Sequence, residues 1–257
     1  MAVPAMHVLQ ACRSAAEWSP LDLPSLSGWW DASDAGSFTF SSGTSVSQWN
    51  DLSGNGRHVT QSTGADQPSR NATMNGLDVV NFAGSGDRLA RTNCPLNNAS
   101  DGTFTAFVVC KPSGFIAGQT MCAIGQDAGA ARIAQTLYFS GSGGTIGSLV
   151  FGNPFSVYSD SNGSGSTGTA YLLGVVRATG TVDVRVNGAS NGSAATANPN
   201  AYSASATWWI GYLGDVTSTA NSFQGDIAEV IYCADDLGAS DIDAVETYLA
   251  DKWGITI

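Results

Sequence analysis

Charge is scarce in this chain. Only 12% of its 257 residues are Asp, Glu, Lys or Arg, and the ten Lys and Arg are scattered rather than clustered. A net charge of -11 without clustered Lys and Arg argues against binding nucleic acid through its phosphates, so no nucleic-acid partner is expected. Histidine and glutamate are scarcer still: His7 and His58 are the only imidazoles, and Glu17, Glu229 and Glu246 the only glutamates. Few residues are therefore left for a Ser-His relay or a paired-glutamate glycosidase. No apolar run approaches the length of a membrane span, so no membrane partner is expected. The N-terminal stretch MAVPAMHVLQACRSAAEW has neither the basic start nor the continuous apolar core of a secretory signal. Cysteine is not absent, but the five residues Cys12, Cys94, Cys110, Cys122 and Cys233 form no CxxC pair and no metal-ligand spacing. An odd number cannot all pair within one chain, and buried free thiols in a reducing compartment of folding are expected.

What the chain does have is hydrophobic residues at 43% and many glycines, enough apolar side chains to fill one large core. From Gly28 onward, short runs of Val, Ile, Phe, Trp and Thr alternate with Gly, Ser and Asn clusters, the pattern of an antiparallel sandwich or jelly roll. Strands are expected over residues 28–31, 46–51, 78–82, 103–111, 121–124, 137–140, 149–152, 171–177, 181–187, 207–211 and 223–232. The eighth and ninth form a hairpin about Gly180, with Val182, Val184 and Val186 on one face and Asp183 and Arg185 on the other. The Gly and Ser stretch between 140 and 169 reads as long hairpin loops. After the last strand the period changes: Ile242, Val245 and Leu249 recur at helical spacing, Ser240 is a candidate cap, and Gly254 follows Lys252 and Trp253 at the end. Residues 1–26, with Pro4, Pro20 and Pro24, read as an arm preceding one domain over 27–257.

Two blocks carry a resemblance: GDIAEVI with the acidic loop and the helix ending KWG, and GWWDASD with VSQWNDLSGNG and VVNF. They resemble a laminin-G-like domain of the concanavalin A-like lectin and glucanase superfamily, in the variant found in bacteriophage virion proteins and bacterial surface proteins. The resemblance implies an all-β, antiparallel concanavalin A-like jelly-roll sandwich with an N-terminal arm and one C-terminal helix. It also implies a non-enzymatic virion structural protein, a capsid decoration or tail appendage, assembled in the host cytoplasm and contacting other virion proteins through residues 1–26, with a homo-oligomer compatible. The alternatives are a carbohydrate-binding module recognising a host or cell-surface glycan, or, third, a glycoside hydrolase; a bacterial cell surface is the alternative location. Relatives often hold calcium, and Asp31, Asp34, Asp51 and Asn55 are oxygen donors near the first strands, although Asp51 also suits an Asx turn of its own loop.

Other candidates are weaker. The string Gly188-Ala189-Ser190-Asn191-Gly192 has the GxSxG form, but it leaves a strand for a small-residue loop with no helix after it, so a turn is expected. Asp226 and Glu229, three apart on one strand, should point to opposite faces, with Glu229 sharing its face with Phe223, Ile227 and Ile231 and acting as a brace. Trp29-Trp30 and Trp208-Trp209 are adjacent pairs, so one ring of each faces away from the other. Trp29, Trp49 and Trp208 are the candidates for stacking on a sugar, with Asn55 binding hydroxyls, while Trp30 and Trp209 are expected to be covered. The Asn-x-Ser/Thr strings at Asn71, Asn98, Asn162 and Asn191 reflect composition.

Overall fold

Branched and aromatic side chains two residues apart on extended backbone need a partner layer, and this chain supplies it by folding its strands over one another. The computed structural model describes residues 18–84, 86–92, 103–115, 119–125, 134–140, 144–152, 155–195, 207–212 and 222–257. In chain order its strands are β1 (Leu26–Asp31), β2 (Phe38–Ser42), β3 (Ser45–Trp49), β4 (Val59–Thr60), β5 (Ser69–Met74), β6 (Leu77–Ala83), β7 (Leu89–Arg91), β8 (Phe104–Pro112) and β9 (Gln119–Gly125). They continue with β10 (Ala134–Ser140), β11 (Thr145–Gly152), β12 (Phe155–Ser164), β13 (Tyr171–Ala178), β14 (Thr181–Val186), β15 (Ala189–Ala195), β16 (Thr207–Ile210) and β17 (Gln224–Cys233), before α1 (Ala239–Trp253).

All strand pairings are antiparallel. One layer runs β15-β14-β13-β8-β17, and the far edge of β17 is shared by β1, opposite residues 229–233, and β6, opposite 224–227. The other layer runs β2-β3-β4-β7-β16-β9-β10-β11-β12. Between them lies the main core, where Trp30, Val80, Val108, Val175 and Val230 from the first layer meet Trp49, Leu89, Phe139 and Trp208 from the second. A second core covers the outer face of the first layer. There Ile242, Val245, Leu249 and Trp253 of α1 pack on Val79, Phe107, Val109, Leu172 and Ile231. Each such side chain taken fully from water contributes about 1.5–3 kcal/mol, so α1 is held by its apolar stripe rather than by helix propensity. The outer face of the second layer has no comparable cover among the described residues.

The expected hairpin about Gly180 is β13-β14; Gly180 has φ 81°, and Val182 and Val184 enter the main core. The helix ends as expected in a left-handed Gly254, with φ 69°, and the Ile255 N–H reaching Ala250 O. It begins differently. Gly238 is the N-cap, with no side-chain hydrogen bond, and Ser240 lies within the first turn. The Gly and Ser stretch after residue 140 is not loop but includes β11 and β12, and the small-residue segment after Gly188 is β15. Backbone ladders hold β15 and the second half of β12, where small and polar residues leave little apolar alternation to read. Cys110 and Cys233 are buried free thiols. Residues 1–17, with Cys12, and also Cys94 lie outside the described residues, as does the side chain of Cys122.

Candidate functional site

β17 contains one extra residue. Ile227 pairs with Cys110 but Glu229 pairs with Val109, the next residue along β8, so Ala228 forms a bulge. The bulge reverses the alternation. Ile227 faces the inter-layer core, whereas Ala228 and Ile231 face the helix, and Glu229 bonds to groups on that helix side. Glu229 therefore shares a face with Ile231 but not with Phe223 or Ile227. Asp226, opposite Lys111 on β8, lies on the same face as Glu229, because Lys111 and Val109 are two apart on β8. The opposed arrangement expected from simple alternation is thus overturned, and no residue type in the sequence marks the bulge.

Glu229 is 0% exposed and fully engaged. Its Oε1 accepts from the Trp29 indole at 2.7 Å and the Tyr248 hydroxyl at 3.0 Å; its Oε2 accepts from Lys252 Nζ and the Trp253 indole, both at 2.8 Å. Lys252 also reaches Asp31 Oδ2 at 2.6 Å. Burial, and secondly the nearby Asp31 carboxylate, raise the Glu229 pKa above the ordinary glutamate range, against the lowering effect of Lys252. Burial likewise pushes the Tyr248 hydroxyl up, helped by Glu229. Asp226 is held by Asn81 Nδ2 at 2.8 Å and Lys111 at 3.5 Å. This constellation clamps β1, β17 and α1 together and presents no open carboxylate pair. Its members were separately visible in the sequence, but their convergence was not, since no local pattern relates positions some 200 residues apart.

The oxygen donors near the first strands have other occupations. Asp51 Oδ1 accepts from the backbone N–H of Trp29 at 3.0 Å and of Ser53 at 2.9 Å, and its Oδ2 accepts from that of Arg57 at 2.8 Å. Asp34 accepts from the Gly36 N–H at 2.8 Å. Asp31 serves Lys252 and Ser33, and Asn55 donates to Leu26 O and Ser27 O. Asp51 and Asn55 thus knit one loop to β1, and no group of three or more His, Cys, Asp or Glu side chains that could hold a metal ion gathers among the described residues.

The tryptophans sort differently from the expectation. Trp49 is 0% exposed and Trp208 is 1% exposed, stacked on Phe38 and on Trp30 respectively, so neither offers a face to a ligand. Trp29 is half-buried, with its N–H given to Glu229. Trp30 is buried as expected, but Trp209 is not fully covered: with Trp208 and Ile210 turned into the core, its half-buried ring lies on the outer face of the second layer. There the register runs Gln48, Thr60, Ala90, Trp209 across four neighbouring strands. Ala90 leaves a low floor beside the indole. Adjoining it is a depression of about 780 Å³ whose lining includes Gln48, His58, Thr60, Arg88 and Arg91. His58 Nδ1 accepts the Asp51 N–H, which places the proton of the neutral ring on Nε2. Arg88 pairs with Asp66 at 2.9 Å and lies over the Tyr212 ring, whereas Arg91 makes no ion pair with a described residue.

A larger groove of about 970 Å³ runs between Trp18 and α1, but its Tyr248 and Lys252 are already committed to Glu229. The GxSxG string begins in the β14-β15 turn, with Gly188 at φ 80°, and runs on into β15 rather than into a nucleophile-bearing helix; Ser190 Oγ donates to Asp183 Oδ1 at 2.6 Å.

No family model matches the chain, and no curated protein matches it. Solved structures do share its fold. Domain 4 of AbnA, a GH43 extracellular arabinanase from Geobacillus stearothermophilus in complex with arabinotriose, aligns over 86% of this chain and 98% of that one, with 15% identity and a TM-score of 0.61. Trypanosoma rangeli sialidase in complex with sialic acid aligns over 90% of this chain at 13% identity and a TM-score of 0.62, and this chain spans 34% of that enzyme. The CBM40 of the Ruminococcus gnavus IT-sialidase, bound to α2,3 sialyllactose, aligns over 58% of this chain and 84% of that one, with 15% identity and a TM-score of 0.50. At these identities the likeness is one of fold: an antiparallel jelly-roll β-sandwich with one C-terminal helix. No helix among the described residues is long and apolar enough to cross a membrane.

Proposed function

We propose that this protein is a non-enzymatic carbohydrate-binding sandwich whose site is the outer face of the second layer around Trp209. The observation that carries the reading is the outward, half-buried indole beside Ala90, next to a depression lined with hydroxyl, amide and guanidinium groups. A flat aromatic face matches the C–H face of a sugar ring, and fixed polar groups beside it bind the hydroxyls. The arabinotriose-bound and sialyllactose-bound structures of the same fold support the choice of ligand class. The non-enzymatic part rests on the carboxylates: Glu229 is sealed from solvent and Asp226 is held by Asn81 and Lys111. A glycan array probed with the wild type and with Trp209→Ala tests the reading. Binding lost in the variant supports it; a blank array for the wild type overturns it.

A second reading concerns where the module is carried. The blocks GWWDASD and GDIAEVI support display on a bacteriophage virion, with attachment to other virion proteins through residues 1–26. Proteomics of purified particles decides it, and absence of the protein from them removes the idea.

A further inference from the structure

Resting on the carbohydrate-binding reading, we infer that the ligand is an oligosaccharide laid across the strands from Trp209 to His58, and that the His58 Nε2–H is the donor that recognises its far end. Register carries one outer face from the first residue to the second. Thr60 is opposite Ala90 and Ala90 is opposite Trp209, and directly opposed residues share a face of the sheet. His58 lies two residues before Thr60, with the fully buried Val59 between them turned into the core. Alternation therefore brings the His58 ring out on the face of Thr60, and there it lines the depression with Gln48, Thr60 and Ala90. From Trp209 to His58 is two strands across and two residues along, roughly 12 Å between backbones. One sugar ring stacked on the indole does not cover that span, so the smallest ligand to use both residues has more than one ring.

The ring is held for donation. Its Nδ1 accepts the backbone N–H of Asp51 at 3.1 Å. A backbone N–H can only donate, so Nδ1 is the unprotonated nitrogen and Nε2 carries the proton. Asp51 is itself fixed: it is 6% exposed, and its carboxylate accepts from the N–H groups of Trp29, Ser53 and Arg57. The loop thereby sets both the tautomer and the orientation of the imidazole. Nε2 makes no hydrogen bond with a described residue. A donor oriented in advance gives its hydrogen bond without the loss of rotamer freedom that a mobile side chain such as Gln48 incurs on binding. A ligand long enough to place an acceptor oxygen at Nε2 gains that bond, and a shorter one does not.

The test uses titration calorimetry on the full-length chain with two series, arabinose against arabinotriose and galactose against 3′-sialyllactose. In at least one series the wild type should bind the oligosaccharide about tenfold or more tightly than the monosaccharide. His58→Asn keeps an amide oxygen for the Asp51 N–H but has no atom at the Nε2 position. It should weaken the oligosaccharide about three- to tenfold, the range of one hydrogen bond, and leave the monosaccharide unchanged. Trp209→Ala should lose both, with thermal melts confirming that each variant is folded. A second measurement needs no variant: with His7 and His58 the only imidazoles, nitrogen-15 spectra of the wild type should show the Nε2–H tautomer of His58 and a shift of that nitrogen on adding the oligosaccharide but not the monosaccharide. If both members of a series bind equally, if His58→Asn keeps the full gain, or if the His58 signal does not move, the inference falls while the carbohydrate reading stands. If neither series binds, the inference falls, and a blank glycan array removes the carbohydrate reading with it.

Discussion

The Trp29 indole N–H donates to Glu229 Oε1 across 2.7 Å, joining the first strand to the last over 200 positions of sequence. With the Lys252 and Trp253 contacts on the other oxygen, it makes Glu229 the point where β1, β17 and α1 are tied. Replacing Glu229 by Gln turns one acceptor oxygen into an amide donor that faces existing donors. A buried group left unsatisfied costs about 1–3 kcal/mol, so Glu229→Gln should lose about 3 kcal/mol by urea denaturation while glycan binding is unchanged. Lost binding at unchanged stability would instead make Glu229 part of the ligand site.

The same residue should leave a mark on the pH dependence of stability. Its pKa is raised in the folded state, first by burial and then by Asp31. The folded protein therefore holds this proton more tightly than the unfolded chain does. The stability it contributes is fully present below the unfolded glutamate value and is lost as pH rises through the folded one. Wild type minus Glu229→Gln, measured by urea melts at a series of pH values, should give a difference largest in acid that shrinks upward from the ordinary glutamate range. A difference independent of pH would contradict the shift.

The two adjacent tryptophans of β16 should behave oppositely. Trp208, packed against Trp30 and Tyr232, should cost about 3–5 kcal/mol when cut to Ala, the range for large buried aromatics. Trp209→Ala should cost about 1 kcal/mol and remove binding. Chemical denaturation and a glycan-binding assay on the pair separate packing from recognition.

Asp51 provides a test of the loop against the metal. Its carboxylate holds the N–H groups of Trp29, Ser53 and Arg57, so Asp51→Ala should cost about 2–3 kcal/mol. Calcium added after chelation should neither shift the melting temperature nor release heat in calorimetry, in the wild type or the variant. A calcium-dependent rise in melting temperature would instead point to Asp31, Asp34, Asp51 and Asn55 as ligands.

Much of the architecture was legible. The Val-rich hairpin about Gly180, the buried last strand and the helix stopped at Gly254 all carry side-chain periodicity, and that periodicity is set by the same packing that stabilises them. β15 and the second half of β12 were not legible, because small and polar residues on a backbone ladder leave no apolar alternation to follow. The Glu229 clamp and the outward tryptophan were legible only as lists of residues, without their arrangement.

By itself, the sequence determined an antiparallel β chain with one terminal helix and a low content of charged residues. These properties follow from composition and local period. Tertiary structure decided which side of each strand is inside. A single extra residue at Ala228 put Asp226 and Glu229 on one face, and the packing of β16 on the opposite layer buried Trp208 and left Trp209 partly exposed on the outer side. The physical reason is that alternation fixes only relative orientation along a strand, while inside and outside are set by which distant layer comes to lie against it.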